Sequence, residues 1–132
     1  MIKTSRLGLA AYNQVASLES DKVKQIGLLY EGAIKFLQLA ANDIETKDLV
    51  AKAEHTKRAL DIISYLQSIL DFERGGEVAK SLDNFYSSIT RLIISGSFKL
   101  DASIMRQSAE LMTPVCEAWF INAKANVAGT SL

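Results

Sequence analysis

Two stretches with helical periodicity meet at the pair Gly75-Gly76, and this junction constrains the fold more than any other feature of the chain. Apolar residues recur at three- and four-residue steps on both sides, which is the spacing of one helix face. Glycine adopts the left-handed conformation that ends a helix, and a second glycine lets the chain reverse. The junction therefore predicts a tight helical hairpin. Its apolar positions are Ala59, Ile62, Ile63, Leu66, Ile69 and Leu70 before the pair, and Val78, Leu82, Phe85, Ile89, Leu92 and Ile93 after it.

Similar helical patterns flank this hairpin. The predicted helices are residues 22–46, 49–73, 77–95 and 102–125. Asp21, Asp48 and Asp101 precede three of them, and aspartate is a favoured N-cap residue. All three connections are short, so neighbouring helices should be antiparallel. The predicted fold is all-α, an antiparallel up-down four-helix bundle in residues 20–126.

The two ends of the chain differ from this regular pattern. Residues 1–19 have only partial helical spacing and predict a separate N-terminal tract, either a short helix or an extended segment. Residues 127–132 are predicted to fray. Pro114 lacks an N–H and its ring clashes with the preceding turn, which predicts a kink or a split in the fourth helix.

Composition excludes several classes of partner. The chain has 132 residues, with 15 Lys and Arg against 15 Asp and Glu. Because these charges balance, the chain has no net positive charge that would attract it to nucleic acid or to an anionic membrane. No segment has the uninterrupted apolar length of a membrane span. The single cysteine, Cys116, cannot form an internal disulfide, which suits a reducing compartment. We expect a cytoplasmic protein without nucleic-acid partners or membrane insertion.

Residues that carry chemistry are scarce. The one histidine, His55, follows Glu54 directly and lacks the Glu-x-x-His spacing of metal-binding bundles, so it is predicted to be a hydrogen-bonded packing residue. Cys116 lies in an apolar helical run and is predicted to be a buried, inert thiol. Asp71 and Glu77 flank a predicted helix turn, where helix-end electrostatics explain them. We predict no enzyme activity, no cofactor and no metal site.

Apolar residues are more numerous than a minimal bundle needs. The fourth helix carries apolar residues on more than one stripe, and the first has Leu28, Ile34, Phe36 and Leu39 outside its main face. Three explanations follow from the pattern: a wide core, homodimerisation, or a groove that receives another amphipathic helix. The residues alone leave all three open.

A run of residues across the glycine junction matches a known family. The segment Leu70-Asp71-Phe72-Glu73-Arg74-Gly75-Gly76-Glu77-Val78-Ala79, with Leu82, Phe85-Tyr86 and Arg91-Leu92 after it, resembles the pattern of the flagellar secretion chaperone FliS family. Supporting matches are Ala11-Tyr12-Asn13-Gln14-Val15, Leu29-Tyr30-Glu31-Gly32-Ala33 and Ala118-Trp119. The match covers about residues 10–123. Departures include Asp21-Lys22 in place of Ser-Pro, and Pro114 in the fourth helix.

The resemblance implies a function. Members of this family bind the C-terminal segment of flagellin in the cytoplasm and keep it from polymerising before type III export during flagellum assembly. The resemblance also implies the flagellar export gate and a co-chaperone as further candidate partners. It also implies that the N-terminal tract around Tyr12 and Val15 covers part of the client groove until the client displaces it.

We predict the groove walls from outward apolar positions of the second to fourth helices. These are Ile69, Phe85, Ile94, Met105 and Met112. Two alternative hypotheses remain: a self-associating structural bundle in which Tyr12 and Trp119 help close a weak homodimer, and a small cofactor or metal bundle, which the shortage of ligands disfavours.

Overall fold

Four helices make up the computed structural model, which describes the backbone of residues 2–130 and the side chains of residues 21–122. They are α1 (Ile2–Glu45), α2 (Leu49–Ser68), α3 (Phe72–Lys99) and α4 (Ala102–Thr130). Both α1 and α3 pack against α2 and α4, so α1 and α3 lie diagonally across the bundle. Residues 2–130 contain no strand. The predicted all-α four-helix arrangement is confirmed.

Two of the three predicted aspartate N-caps are present. The Asp48 side chain accepts a hydrogen bond from the Ala51 N–H at 3.1 Å. The Asp101 carboxylate accepts from the Ser103 and Ile104 N–H groups at 3.0 and 3.3 Å. The predicted cap at Asp21 is wrong, because α1 continues through it. An aspartate inside a helix costs less than about 1 kcal/mol relative to alanine, too little to end the helix between good helix formers.

The chain reverses before the glycine pair. Helix α2 ends at Ser68, and Asp71 caps α3 by accepting from the N–H groups of Glu73 and Arg74 at 3.1 and 3.0 Å. Gly76 lies inside α3 with φ 51° and ψ −125°, where it kinks the helix. The predicted hairpin exists, but its predicted turn at Gly75-Gly76 is wrong. Helix α3 begins directly after the Asp71 cap, one helical turn before the predicted position. The left-handed conformation of Gly76 produces the kink and not the turn.

One end of the bundle carries two connections, residues 46–48 and 100–101, and we call it the closed end. Here Lys52 Nζ donates to the backbone carbonyl and the hydroxyl of Ser97, at 3.4 and 3.3 Å, which ties α2 to α3. The Arg106 guanidinium donates to Glu45 and Asn42 and ties α4 to α1. The apolar side chains without any exposed surface lie along the core between the two ends of the bundle. They are Ala33, Leu37, Ala40, Ala41, Ala59, Ile63, Ile93, Met105 and Met112.

Helix α4 continues through Pro114, so the predicted split does not occur. The missing N–H of Pro114 leaves the Glu110 carbonyl without its helical partner. Both Pro114 and Glu110 lie on the exposed face of α4, where water can replace that hydrogen bond. The proline is therefore tolerated on the solvent side.

Candidate binding groove

A groove of about 690 Å³ opens at the opposite end of the bundle, beside the connection of residues 69–71. We call this the groove end. Its lining is apolar apart from two charged residues at the rim, Asp71 and Arg74. The other lining residues are Ile26, Tyr30, Leu66, Ile69, Leu70, Gly75, Val78, Ala79, Leu82, Tyr86 and Trp119. A smaller pocket of about 240 Å³ shares Ile26 and Ile69 and extends the groove along α1 and α2, where Lys22, Gln25 and Tyr65 add polar groups to the lining.

The start of α3 forms one wall of the groove. Because Gly76 breaks the helical conformation, the first turn of α3 departs from the axis of the rest of the helix. Just past the kink, Val78 is 69% exposed although valine is strongly apolar. Leu82, one turn further, is half-buried and packs against the core. This wall therefore presents an apolar rim above a partly covered interior.

Helix α4 forms the facing wall and is held tightly on α1. The Trp119 indole N–H donates to the Val23 carbonyl at 3.0 Å. The neighbouring Phe120 ring lies over Gly27, where a Cβ would come within 2.5 Å of ring carbons. The Trp119 ring also packs against Tyr30, with ring centroids 6.2 Å apart. Gly27 thus allows the close approach that positions Trp119 in the groove.

The floor of the groove contains one polar feature. The Tyr30 hydroxyl on α1 and the Tyr86 hydroxyl on α3 hydrogen-bond to each other across the diagonal of the bundle. Burial raises the pKa of both phenols above the ordinary value for tyrosine. Both side chains are therefore neutral over the physiological range, and the groove presents no charge from its floor.

The structure does not bring the five residues predicted for the groove walls together. Ile69 lines the groove and is 42% exposed. Phe85 is half-buried against the core, with its ring 5.9 Å from that of Tyr86. Ile94 is exposed but lies further along α3, toward the closed end. Met105 and Met112, predicted to face outward, are fully buried.

The methionines are inside because they share the inward stripe of α4 with Ala109 and Cys116, at helical steps of three and four residues. The side chains of Tyr12 and Val15 lie outside the described residues. A client contact at any of the predicted positions stays a prediction.

The residues with chemical potential have structural partners. His55 Nδ1 lies 2.6 Å from an Asp43 carboxylate oxygen, and its ring stacks on Phe36 at 5.9 Å, which confirms a hydrogen-bonded packing histidine. Cys116 is buried, and that burial, more than the nearby carboxylates, raises the pKa of its thiol. Among the side chains of residues 21–122, no three His, Cys, Asp or Glu residues come together as metal ligands. Across the described helices, none combines the length and the apolar character that crossing a bilayer requires.

Sequence reasoning assigned Val78 and Leu82 to the core stripe of α3 and did not identify them as groove residues. A usable signal was their position directly after Gly75-Gly76, where a kinked helix cannot bury its first apolar residues fully. The pairing of Tyr30 with Tyr86 had no such signal, because 56 residues separate them.

Comparison with known proteins gives a consistent result. The family model described as flagellar protein FliS matches residues 6–125. The flagellar secretion chaperone FliS of Salmonella typhimurium is 32% identical over 117 residues, which is 85% of this chain and 87% of the relative. Its namesake in Campylobacter jejuni is 30% identical over 116 residues, 87% of this chain and 90% of the relative. That of Vibrio cholerae is 30% identical over 107 residues, 81% and 77% of the two chains.

These relatives are named as flagellar secretion chaperones, a non-enzymatic family, which confirms the prediction that the chain is not an enzyme. The matches span nearly the whole bundle, including both walls of the groove. The chain belongs to the FliS family of flagellar secretion chaperones.

Proposed function

We propose that this protein is a cytoplasmic chaperone that binds the C-terminal segment of flagellin in the groove and prevents its polymerisation before type III export. The observation that carries the proposal is the apolar groove of about 690 Å³ with an exposed apolar rim. A chain whose family works in flagellar secretion needs a surface for its client. The groove supplies one without any catalytic group.

The lining favours an amphipathic helix as the occupant. Apolar side chains from all four helices converge on the groove, while Asp71 and Arg74 lie at its edge. A helix that lays one apolar face into such a groove anchors residues at steps of three and four. Those are also the residues that would pack against other subunits in a filament, so covering them removes the surface that nucleates assembly.

Burial of apolar surface supplies most of the free energy of client binding in this groove. The chain has 15 basic and 15 acidic residues, so long-range attraction contributes little. Folding of a disordered segment onto a partner typically buries about 1,000–3,000 Å² and loses several kcal/mol to ordering. The complex is therefore firm enough to protect the client and is released at the export gate without ATP hydrolysis by the chaperone. A co-chaperone is a further candidate partner.

The N-terminal tract is proposed to act as a movable cover. Helix α1 is continuous through Asp21 in this structure, so covering the groove requires the chain to bend near residues 19–21. A chain that lacks residues 1–19 is then expected to bind client more tightly than the full chain. Equal affinity in calorimetry would remove the cover from the proposal and leave the groove itself untouched.

The central experiment is calorimetric titration of the full chain with a peptide that carries the C-terminal segment of the cognate flagellin. Wild type should form a 1:1 complex. Val78→Lys places a charge on the groove rim and should weaken binding at least tenfold. Val50→Lys is the matched control, because Val50 is also an exposed valine, at 84% against 69% for Val78, but it begins α2 at the closed end.

The control variant should bind like wild type. Absence of any complex with wild type would refute the proposed function. Equal weakening by both lysine variants would show that the client does not select the groove end.

Self-association is the second candidate, and one observation favours it. Val50 and Phe98 at the closed end are 84% and 88% exposed, which is unusual for large apolar side chains. Light scattering without client distinguishes the two: a mass above the 14.5 kDa of one chain that persists when the peptide is added supports a structural dimer.

A further inference from the structure

The Tyr30–Tyr86 pair is nearly fully buried at the floor of the groove. Tyr30 is 4% exposed and Tyr86 is 1% exposed, yet both line the groove. Their helices, α1 and α3, are diagonal neighbours whose backbones do not pack against each other. The two side chains reach across the core and meet at their hydroxyl groups.

One of the two phenol protons of the Tyr30–Tyr86 pair has no acceptor among the described residues. Each phenol carries one proton to donate and has lone pairs that accept. One of the two protons is used in the hydrogen bond between the hydroxyls. Among the side chains and backbone of residues 21–122, no further hydrogen bond to either hydroxyl is present, so the second proton has no protein acceptor there. A buried donor without a partner is unfavourable.

We infer that the Tyr30–Tyr86 pair is the polar recognition point of the groove, and that it takes a neutral side-chain carboxamide, Asn or Gln, from the apolar face of the client. The inference rests on the proposed function, since it names a chemical requirement on the same client. Apolar burial alone would accept any amphipathic helix. A hydrogen bond to the tyrosine pair would select one segment and fix its register in the groove.

A carboxamide matches the pair better than other polar groups. Its oxygen accepts the spare phenol proton, and its NH₂ donates to a phenol lone pair. A carboxylate cannot donate and would have to be buried as a charge, which is costly without a paired cation. The one cation that lines the groove among the described residues, Arg74, has a side chain 92% exposed and lies 3.8 Å from Asp71. A backbone carbonyl in a helical client is already bonded within its own helix.

The test compares client affinity for wild type and for the double variant Tyr30→Phe, Tyr86→Phe, by calorimetry with the flagellin peptide. The double variant removes both hydroxyls and keeps both rings, so the client carboxamide loses its partners and affinity should fall about tenfold. Thr56→Val is the matched control, because it also removes a buried hydroxyl with little change of shape, and Thr56 lines neither the groove nor the smaller pocket. It should bind like wild type.

A second arm varies the peptide, so its main comparison uses wild-type chaperone and does not depend on the folding of any variant. Each Asn and Gln of the peptide is replaced in turn by Leu. One replacement should weaken binding to wild type about tenfold and leave binding to the double variant unchanged. If no replacement weakens binding, or if the double variant binds the original peptide as tightly as wild type, the inference is overturned and the proposed function stands. If wild type binds no peptide, both fall.

Discussion

The closed end and the groove end of this bundle are built from the same four helices with opposite results. At the closed end, alanines and methionines bring the helices together and leave no exposed surface on Leu37, Ile93 or Met105. At the groove end, α4 stays close to α1 at Gly27, but the kinked start of α3 leaves a groove of about 690 Å³ lined by the rings of Tyr30, Tyr86 and Trp119. Small residues therefore provide stability at one end, and large rings and a glycine provide a binding surface at the other.

The comparison explains why the groove does not collapse. Tyr30 and Tyr86 meet across the diagonal and act as a strut between α1 and α3. The hydrogen bond from Trp119 to the Val23 carbonyl fixes the facing wall. An apolar groove is normally closed by movement of the surrounding side chains, and these contacts oppose that movement.

The largest expected effect comes from the closed core. Ile93→Ala removes a fully buried side chain near the closed end of α3 and should lower the free energy of unfolding by about 2–5 kcal/mol. Val78→Ala at the groove rim should change it by less than about 0.5 kcal/mol, because that side chain is largely exposed. Urea unfolding measures both. Comparable losses would show that the groove end carries as much stability as the closed end.

The second effect tests the kink. Gly76→Ala should cost about 1–3 kcal/mol, because a Cβ disfavours φ 51°. Gly32→Ala inside α1 is the matched control: its Cβ would lie an ordinary 3.4 Å from Ile62, and it should stabilise by up to about 1 kcal/mol. A neutral Gly76→Ala in the same unfolding assay would mean that α3 tolerates a straight start and that the kink does not shape the groove.

A smaller effect tests how α4 is held. Trp119→Phe keeps an aromatic ring but removes the donor to the Val23 carbonyl, and should lower the free energy of unfolding by about 0.5–1.5 kcal/mol. The loss is modest because that carbonyl keeps its helical hydrogen bond. Trp119 is the only tryptophan, so its fluorescence reports on the groove directly. Its emission should shift when client binds, and an unchanged spectrum in a complex would place the client elsewhere.

The smallest effect at neutral pH concerns the tyrosine pair. Burial raises the pKa of Tyr30 and Tyr86 in the folded state, so their contribution to stability is complete below the unfolded value of about 10 and is lost as pH rises above it. Above about pH 10, wild type should lose stability with pH faster than the Tyr30→Phe, Tyr86→Phe variant. Parallel pH profiles in urea unfolding would contradict the burial of the pair.

Local signals predicted much of the fold. Asp48 and Asp101 as caps, the inward stripes and the short connections each depend on residues close together in sequence. The turn at residues 69–71 was misplaced because Asp71 and Gly75-Gly76 are competing signals for the same reversal. Which of them ends α2 depends on packing across the bundle, and periodicity does not contain that information.

The candidate site was harder to predict than the fold. Ile69 was identified, but Met105 and Met112 were assigned outward because α4 is apolar on more than one stripe, and the wider core uses both residues. The groove depends on the kink at Gly76 and on tyrosines 56 residues apart. The tyrosine pairing is a tertiary feature that the pattern of a single helix could not show, whereas Gly75-Gly76 was a local signal for the kink.

Hydrogen exchange of the chaperone with and without the flagellin peptide tests the central claim most directly, because it asks which end the client covers. We expect slower exchange of backbone amides in residues 69–82 on binding, with unchanged exchange at the closed end in residues 46–52 and 96–106. Protection at the closed end, around Val50 and Phe98, with none at the groove, would contradict it.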